Sequence, residues 1–424
     1  MGSSRWRRWR SLTAPLAAGL LARLALIAWT TPLALSLDEA RFVDLATTGM
    51  RETAFLPPLW PLVLACIRAF VGDSLPSVRA VIACLSIGSI AFVYVLAERH
   101  MGRGSGPVAA WIAALLPTLV YFDGRLRSEW LVTLLLLGFA CLWTGAPTRA
   151  GALLGAGCVL GLVVLARPEF ALIPIFLVAL GVARGEGNRA FRKGALLAPG
   201  CLLLVLPWVV RNEVVVGAGP VISTNGGYNF WKSFNAQTDG SQIPVTDLTI
   251  WDGVPESRMD KVGYSEGWRY IAGHPVRSLL LAPAKWGHLF GPERDYLSDL
   301  RQDRLPRRSR ALDLLFGLLQ NTAWFLIMGA GLFALLGPRR SEVKDCVLAA
   351  LGTLLLVHLI AFGDDRFHVP LLPFLCVALP EAWDGSLRPR RAVRLLVVLL
   401  AVEAVFWVLV VARDAGRIAM LLRR

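Results

Sequence analysis

Charge is scarce in this chain. Asp, Glu, Lys and Arg make up 17% of its 424 residues, where a soluble protein carries about 25%. That shortage excludes an ordinary soluble domain. Histidine is rarer still. His100, His274, His288, His358 and His368 are the whole supply, and none has the paired spacing of a metal site. The cysteines Cys66, Cys84, Cys141, Cys158, Cys201, Cys346 and Cys376 also lack ligand spacing. Six fall in expected spans, so small apolar packing is their expected role, with no disulfide framework. No internal repeat is discernible. No cleavable signal peptide is expected. The apolar run after Arg5-Trp6-Arg7-Arg8-Trp9-Arg10 is of spanning length and lacks a small-residue cleavage site.

What the chain has instead is apolar length. Hydrophobic residues reach 55%, and many runs approach the ~20 residues that cross a bilayer. The first lies at about 14–35 and the last at about 394–412. Between them come runs at about 56–72, 78–97, 107–122, 129–145, 150–166, 169–183, 194–211, 312–336, 343–362 and 368–383. These read as an all-α polytopic membrane protein.

The formal net charge of +14 sits in short connections between these runs. There it orients a membrane protein and suits anionic lipid better than nucleic acid. The basic connections Glu98–Arg103, Thr148–Arg149, Arg184–Lys193, Arg339–Lys344 and Arg388–Arg394 should all lie in the cytoplasm with the N-terminus. Counting every run as a span puts all five outside. Dropping 56–72, which is short, begins Leu56-Pro57-Pro58 and contains Arg68, corrects them together. That run is expected to be an outer juxtamembrane helix, leaving about 11 spans in an inner or plasma membrane. The expected division is 1–211, a transmembrane module with a catalytic first outer loop; 212–310, an extracytoplasmic cap; and 311–424, the C-terminal transmembrane helices. The middle segment is nearly neutral, with 12 Lys/Arg and 11 Asp/Glu. Within it, Ser223–Gly227 reads as a turn with left-handed positions. Tyr264–Phe290 reads as a surface helix broken at Pro275 and Pro283. Trp208, Trp231, Trp268 and Trp286 are expected interface anchors.

This topology gathers charged span ends on one side. They are Asp38-Glu39, Asp123 to Glu129 with Arg125 and Arg127, Arg167-Pro168-Glu169, Arg211, Lys285 and Asp364-Asp365-Arg366. Each has a plain reading. Ser36 or Asp38 can cap a helix whose first turn favours acids. Arg167 and Glu169 can pair at a helix start, and Arg125 and Arg127 can snorkel to head groups. Their coincidence outside the membrane, where positive charge is disfavoured, points instead to a bound anion. A carboxylate, several arginines and a lipid interface suit sugar transfer from a lipid phosphate. The cations stabilise the leaving phosphate, and the carboxylate deprotonates the acceptor hydroxyl.

The same residues resemble a known family, the GT-C membrane glycosyltransferases, in their protein mannosyltransferase-like and aminoarabinose-transferase-like branch (glycosyltransferase family 39). Asp38-Glu39 resembles the family's Asp-Glu motif, and Pro57-Pro58-Leu59 its His-Pro-Pro-Leu motif with Leu56 in place of the His. Arg127-Ser128-Glu129 stands where the second acidic motif belongs. Arg167-Pro168-Glu169, Pro207-Trp208 to Arg211-Asn212, Thr224-Asn225-Gly226-Gly227-Tyr228-Asn229 and Arg366-Phe367-His368-Val369-Pro370 follow in family order. The resemblance implies a GT-C fold with a small extracytoplasmic cap. It implies an inverting transferase that takes its sugar from a polyprenyl-phosphate donor and delivers it to a glycan, glycolipid or protein. Asp38 would be the general base, Glu39 an orienting residue, and Glu129 or Asp123 the second acid. Arg127, Arg167, Arg211, Lys285 and Arg366 would meet the lipid phosphate, with Asn225 nearby. A divalent metal, if one is used, would fall to Asp38 and Glu129. A lipid-linked-sugar flippase, or a non-catalytic envelope assembly subunit on the same scaffold, is the alternative.

Overall fold

In the computed structural model, residues 2–145, 149–242, 248–306, 309–337 and 340–383 are described, with scattered positions beyond. Helices dominate, and among the described residues the only β feature is an isolated bridge between Ser241 and Gly363. Among the described residues, five helices have the length and apolar character to cross a membrane: Ser11–Thr30, Leu75–His100, Gly187–Val216, Ala311–Leu335 and Glu342–Ile360. Shorter apolar helices at Ser105–Leu115, Glu129–Gly145, Ala150–Ala166 and Pro168–Ala183 occupy four more of the expected runs. The run at 56–72 forms a helix of 13 residues, Leu59–Val71, too short to span. The expected last span, 394–412, lies outside the continuously described residues.

Proline explains where the runs break. The run at 107–122 divides into Ser105–Leu115 and Pro117–Phe122 because Leu116, ahead of Pro117, is extended at φ −61°, ψ 114°. Pro283 behaves differently from expectation. It lies inside the continuous helix Pro275–Leu289, and the break before it falls at His274. The second expected break is therefore corrected, although Pro275 does start a helix, where its missing N–H costs nothing.

Small residues bring the longest contacts together. The helices Ala150–Ala166 and Gly187–Val216 approach so closely that a Cβ on Gly157 would meet Leu197 O at 2.1 Å, and one on Gly200 would meet Leu154 O at 2.2 Å. In lipid, where apolar side chains gain little from meeting each other, such close packing is what holds helices together. One large apolar core, from Val93 and Leu96 to Leu372 and Leu375, joins the early helices to Leu372–Trp383. All seven cysteines are free. The middle segment forms the helices Gly226–Ser233, Glu256–Gly273, Pro275–Leu289 and Asp295–Arg301. Trp268 and Trp286 are exposed there, as interface anchors would be, but Trp231 is buried against Tyr228 and Trp251.

Candidate active site

The helix Leu37–Thr48 begins with a reciprocal cap. Ser36 Oγ accepts from Glu39 N at 3.3 Å, and Glu39 Oε2 accepts from Ser36 N at 2.8 Å. This fixes Glu39 inward and leaves its neighbour Asp38 free to face a cavity. Glu39 is fully buried and gripped by Arg125, Nε to Oε1 and Nη2 to Oε2, both at 2.8 Å. Burial alone would raise its carboxyl, but Arg125, Arg127 and the Ser36 N–H together hold it well below the ordinary range. Arg125 also binds Tyr121 Oη at 2.7 Å and pairs with Asp299. Glu39 does not line the cavity: it anchors the helix that carries Asp38, an orienting place rather than a contact with substrate.

Asp38 Oδ2 accepts from Arg366 Nη1 at 2.5 Å. Arg366 is the main reason the Asp38 carboxyl falls to about 2 despite burial. Arg366 sits on a short 3-10 turn, Asp365–Leu371, capped by Asp364. His368 pins this turn, with Nδ1 2.6 Å from Leu289 O and Nε2 3.0 Å from Glu293 Oε1. Asp365 Oδ2 accepts from Arg294 N at 2.5 Å.

Two further arginine–carboxylate pairs complete the wall. Arg127 pairs with Asp295. Arg167 Nη2 donates to Glu129 Oε1 at 2.7 Å, and its guanidinium lies 4.9 Å from the Phe367 ring centre. Several buried polar atoms of this wall have no hydrogen-bond partner: Arg127 Nε, Arg167 Nη1, Arg366 Nε and Glu129 Oε2. The cavity measures about 230 Å³ and is bounded by Asp38, Arg127, Glu129, Arg167, Asn225 and Arg366, with Phe55, Trp60 and Phe367 as apolar walls. A larger cavity of about 810 Å³ shares Asp38, Arg127 and Arg366 with it and continues past Arg294, Ser298 and Arg301. Asp38 thus stands between two spaces.

Three expected site residues lie elsewhere. Asp123 pairs with the buried Arg23 of the first helix, Oδ2 to Nη2 at 2.7 Å. Arg211 donates to the carbonyls of Thr53 at 2.9 Å and Arg51 at 3.0 Å, and also to Met50 O. It therefore shapes the loop that delivers Leu56 and Pro57 to the cavity. Lys285 is fully buried, with Nζ 3.2 Å from Leu359 O and 3.5 Å from the Phe234 ring centre. Each carries charge at a span end, yet each is used internally. Asn225 does line the cavity, but its φ is −96° and no residue of 223–227 is left-handed. The expected turn is there at Thr224 and Asn225 and leads straight into a helix, but it has no left-handed positions.

Lys232 and Gln242 also line both cavities and were not expected. For Lys232 a signal existed. It lies four positions after Tyr228, one helical turn on, in the helix that follows the Asn225-Gly226-Gly227 motif. Asp38 and Glu129 are the residues to which a divalent metal would fall. Each already engages an arginine, and among the described residues no group of three or more His, Cys, Asp or Glu is placed to hold an ion.

Comparison with known proteins agrees with this architecture. A family model described as dolichyl-phosphate-mannose-protein mannosyltransferase matches residues 56–210. The archaeal oligosaccharyltransferase AglB from Archaeoglobus fulgidus, in complex with an inhibitory peptide and a dolichol-phosphate, superposes with a TM-score of 0.50 at 16% identity, covering 98% of this chain and 56% of that one. Its apo form gives a TM-score of 0.53 at 14% identity over 96% and 56%. The chain carries the GT-C fold. It spans only 56% of the length of that oligosaccharyltransferase. ArnT from Cupriavidus metallidurans bound to undecaprenyl phosphate aligns over 99% of this chain and 81% of that chain, at 13% identity and a TM-score of 0.44. No curated protein matches by sequence. The GT-C resemblance drawn from Asp38-Glu39, Arg127-Ser128-Glu129 and Arg366-Phe367-His368 therefore holds at the level of fold.

Proposed function

We propose that this GT-C chain is an inverting glycosyltransferase. It moves one sugar from a polyprenyl-phosphate donor to a hydroxyl acceptor on the extracytoplasmic face. The observation that carries the reading is Asp38, a carboxylate at the junction of two cavities and in contact with an arginine of the same wall. The A. fulgidus relative, whose complex holds a dolichol-phosphate, supports a lipid-phosphate donor.

In this reading the acceptor O–H gives its proton to Asp38. The oxygen attacks the anomeric carbon from the face opposite the phosphate. The carbon–oxygen bond to phosphate breaks, and its electron pair leaves on the phosphate. Arg366, Arg127 and Arg167 hold the charge that develops there. Glu129 orients Arg167. While Arg366 stays on Asp38, the carboxylate is a weak base, because its proton affinity is that of a group with a pKa of about 2. As Arg366 turns to the leaving phosphate, Asp38 becomes more basic when the proton must be taken.

The test is transfer of labelled sugar from a polyprenyl-phosphate sugar by membranes containing Asp38→Asn. Loss of about 10²–10⁴-fold with normal protein level is expected, the size of a missing general base. Undiminished transfer by Asp38→Asn would sink the assignment.

A further inference from the structure

Three of the four arginines at the smaller cavity already face a carboxylate. Arg366 lies 2.5 Å from Asp38, Arg167 lies 2.7 Å from Glu129, and Arg127 pairs with Asp295. Each pair presents donors to the cavity but little net charge. The donor's phosphodiester arrives with one negative charge and leaves as a phosphate monoester with more, so the site needs charge as well as donors.

Two cations remain. Lys232 and Arg41 line both cavities, and among the described residues neither has a carboxylate within ion-pair distance. Lys232 is half-buried, and its nearest aromatic contact is the Phe362 ring, 5.0 Å from Nζ. Arg41 rests at 5.9 Å from the Phe55 ring centre. A partly desolvated lysine beside Arg366 is costly to keep without a counter-ion. Burial, and then Arg366, lower its proton affinity. Arg127 Nε, Arg167 Nη1 and Arg366 Nε stand in the same wall without a hydrogen bond, the last two 3.6 Å from Glu169 Oε1 and Asp364 Oδ1. A tetrahedral anion with several acceptor oxygens meets both needs at once.

We propose that Lys232, assisted by Arg41, supplies the net positive charge that binds the phosphate of the lipid-linked donor. The three paired arginines then give direction more than charge. A lysine suits the first role because its ammonium is a mobile point charge, and the arginines suit the second because their forks are fixed. This inference rests on the reading of the chain as a polyprenyl-phosphate-dependent transferase. It assigns the phosphate site to residues outside the acidic and arginine motifs that carry the resemblance.

The experiment measures binding to the full chain purified in detergent, with three probes: undecaprenyl phosphate, undecaprenol and inorganic phosphate. The wild type is expected to bind undecaprenyl phosphate well above undecaprenol. Lys232→Gln should weaken undecaprenyl phosphate by about tenfold or more, the loss of one charge-assisted contact. It should leave undecaprenol binding unchanged and should not lower the thermal midpoint, since Lys232 gives up no hydrogen bond or ion pair and a costly charge is removed. Lys232→Arg should restore most of the affinity, and Arg41→Gln should show a smaller loss. Competition by inorganic phosphate that disappears in Lys232→Gln would assign recognition to the phosphate alone; its absence, with the lipid effect intact, would assign it to a lipid-tethered phosphate. Unchanged undecaprenyl phosphate binding in Lys232→Gln overturns the inference while leaving the transferase reading to the Asp38→Asn test. Wild-type protein that does not distinguish undecaprenyl phosphate from undecaprenol overturns both.

Discussion

Arg125 holds Glu39 by two parallel contacts, each 2.8 Å long, in a place sealed from the cavity. Asp38, the next residue along, faces that cavity. The two acids of one motif therefore fail in different ways. Glu39→Gln leaves the Arg125 charge short of a counter-ion and should cost about 3–5 kcal/mol of stability, the usual penalty for breaking a buried pair. Asp38→Asn also breaks an arginine pair, but its side chain is 34% exposed, so it should cost clearly less. Thermal unfolding in detergent, run beside the transfer assay, separates them. A Glu39→Gln protein with wild-type stability and no transfer would return Glu39 to the chemistry.

Lys285 gives a pH signature. Its ammonium is buried, and burial lowers its pKa to about 7, against about 10.4 in an unfolded chain. The folded state thus binds fewer protons than the unfolded state between these values. Stability should fall as pH drops from about 10 to 7 and level off below 7. Lys285→Met removes this dependence. Unfolding midpoints at pH 7 and pH 10 for both proteins provide the check. An equal pH response in the two would show that Lys285 stays protonated when folded.

The helix Gly226–Ser233, which carries Tyr228 and Lys232, lies directly on the helix Glu256–Gly273. A Cβ on Gly263 would stand 2.2 Å from both C and O of Gly227. Backbone cannot yield as a side-chain tip can, so Gly263→Ala must push the first helix outward, at a cost of about 1–3 kcal/mol for overpacking. Affinity for undecaprenyl phosphate should drop several-fold, although Gly263 lines neither cavity. Wild-type affinity in that variant would show that the helix position does not govern the cavity.

Much of this was legible beforehand. Apolar runs and basic connections located the helices, and the short 13-residue helix Leu59–Val71 sits where charge balance removed a span. Asp38, Arg127, Glu129, Arg167 and Arg366 do meet around one cavity. The separation of Asp38 from Glu39 was also written in the chain. Ser36 and Glu39 stand three apart, the spacing of a reciprocal cap, and the acid used in such a cap is turned inward. What could not be read was direction. Arg211, Lys285 and Asp123 occupy span ends as Arg167 does, but which way a side chain leaves its helix depends on neighbours distant in sequence. Arg23 claims Asp123, the Met50–Thr53 loop claims Arg211, and Leu359 claims Lys285. Lys232 is silent in the sequence for the opposite reason. It carries no motif of its own, and only its helical register with Tyr228 brings it to the cavity.

Asp38 and Arg366 are 328 positions apart, and that distance has a consequence in time. A ribosome delivers Asp38 to the membrane long before it has made Arg366. Until Arg366 is made, the carboxylate stands without the partner that sets its proton affinity. The cavity wall closes only when the turn at 365–371 arrives. A chain arrested before that turn would hold both acids of the Leu37–Thr48 helix, yet its cavity would lack the Arg366 side of its wall.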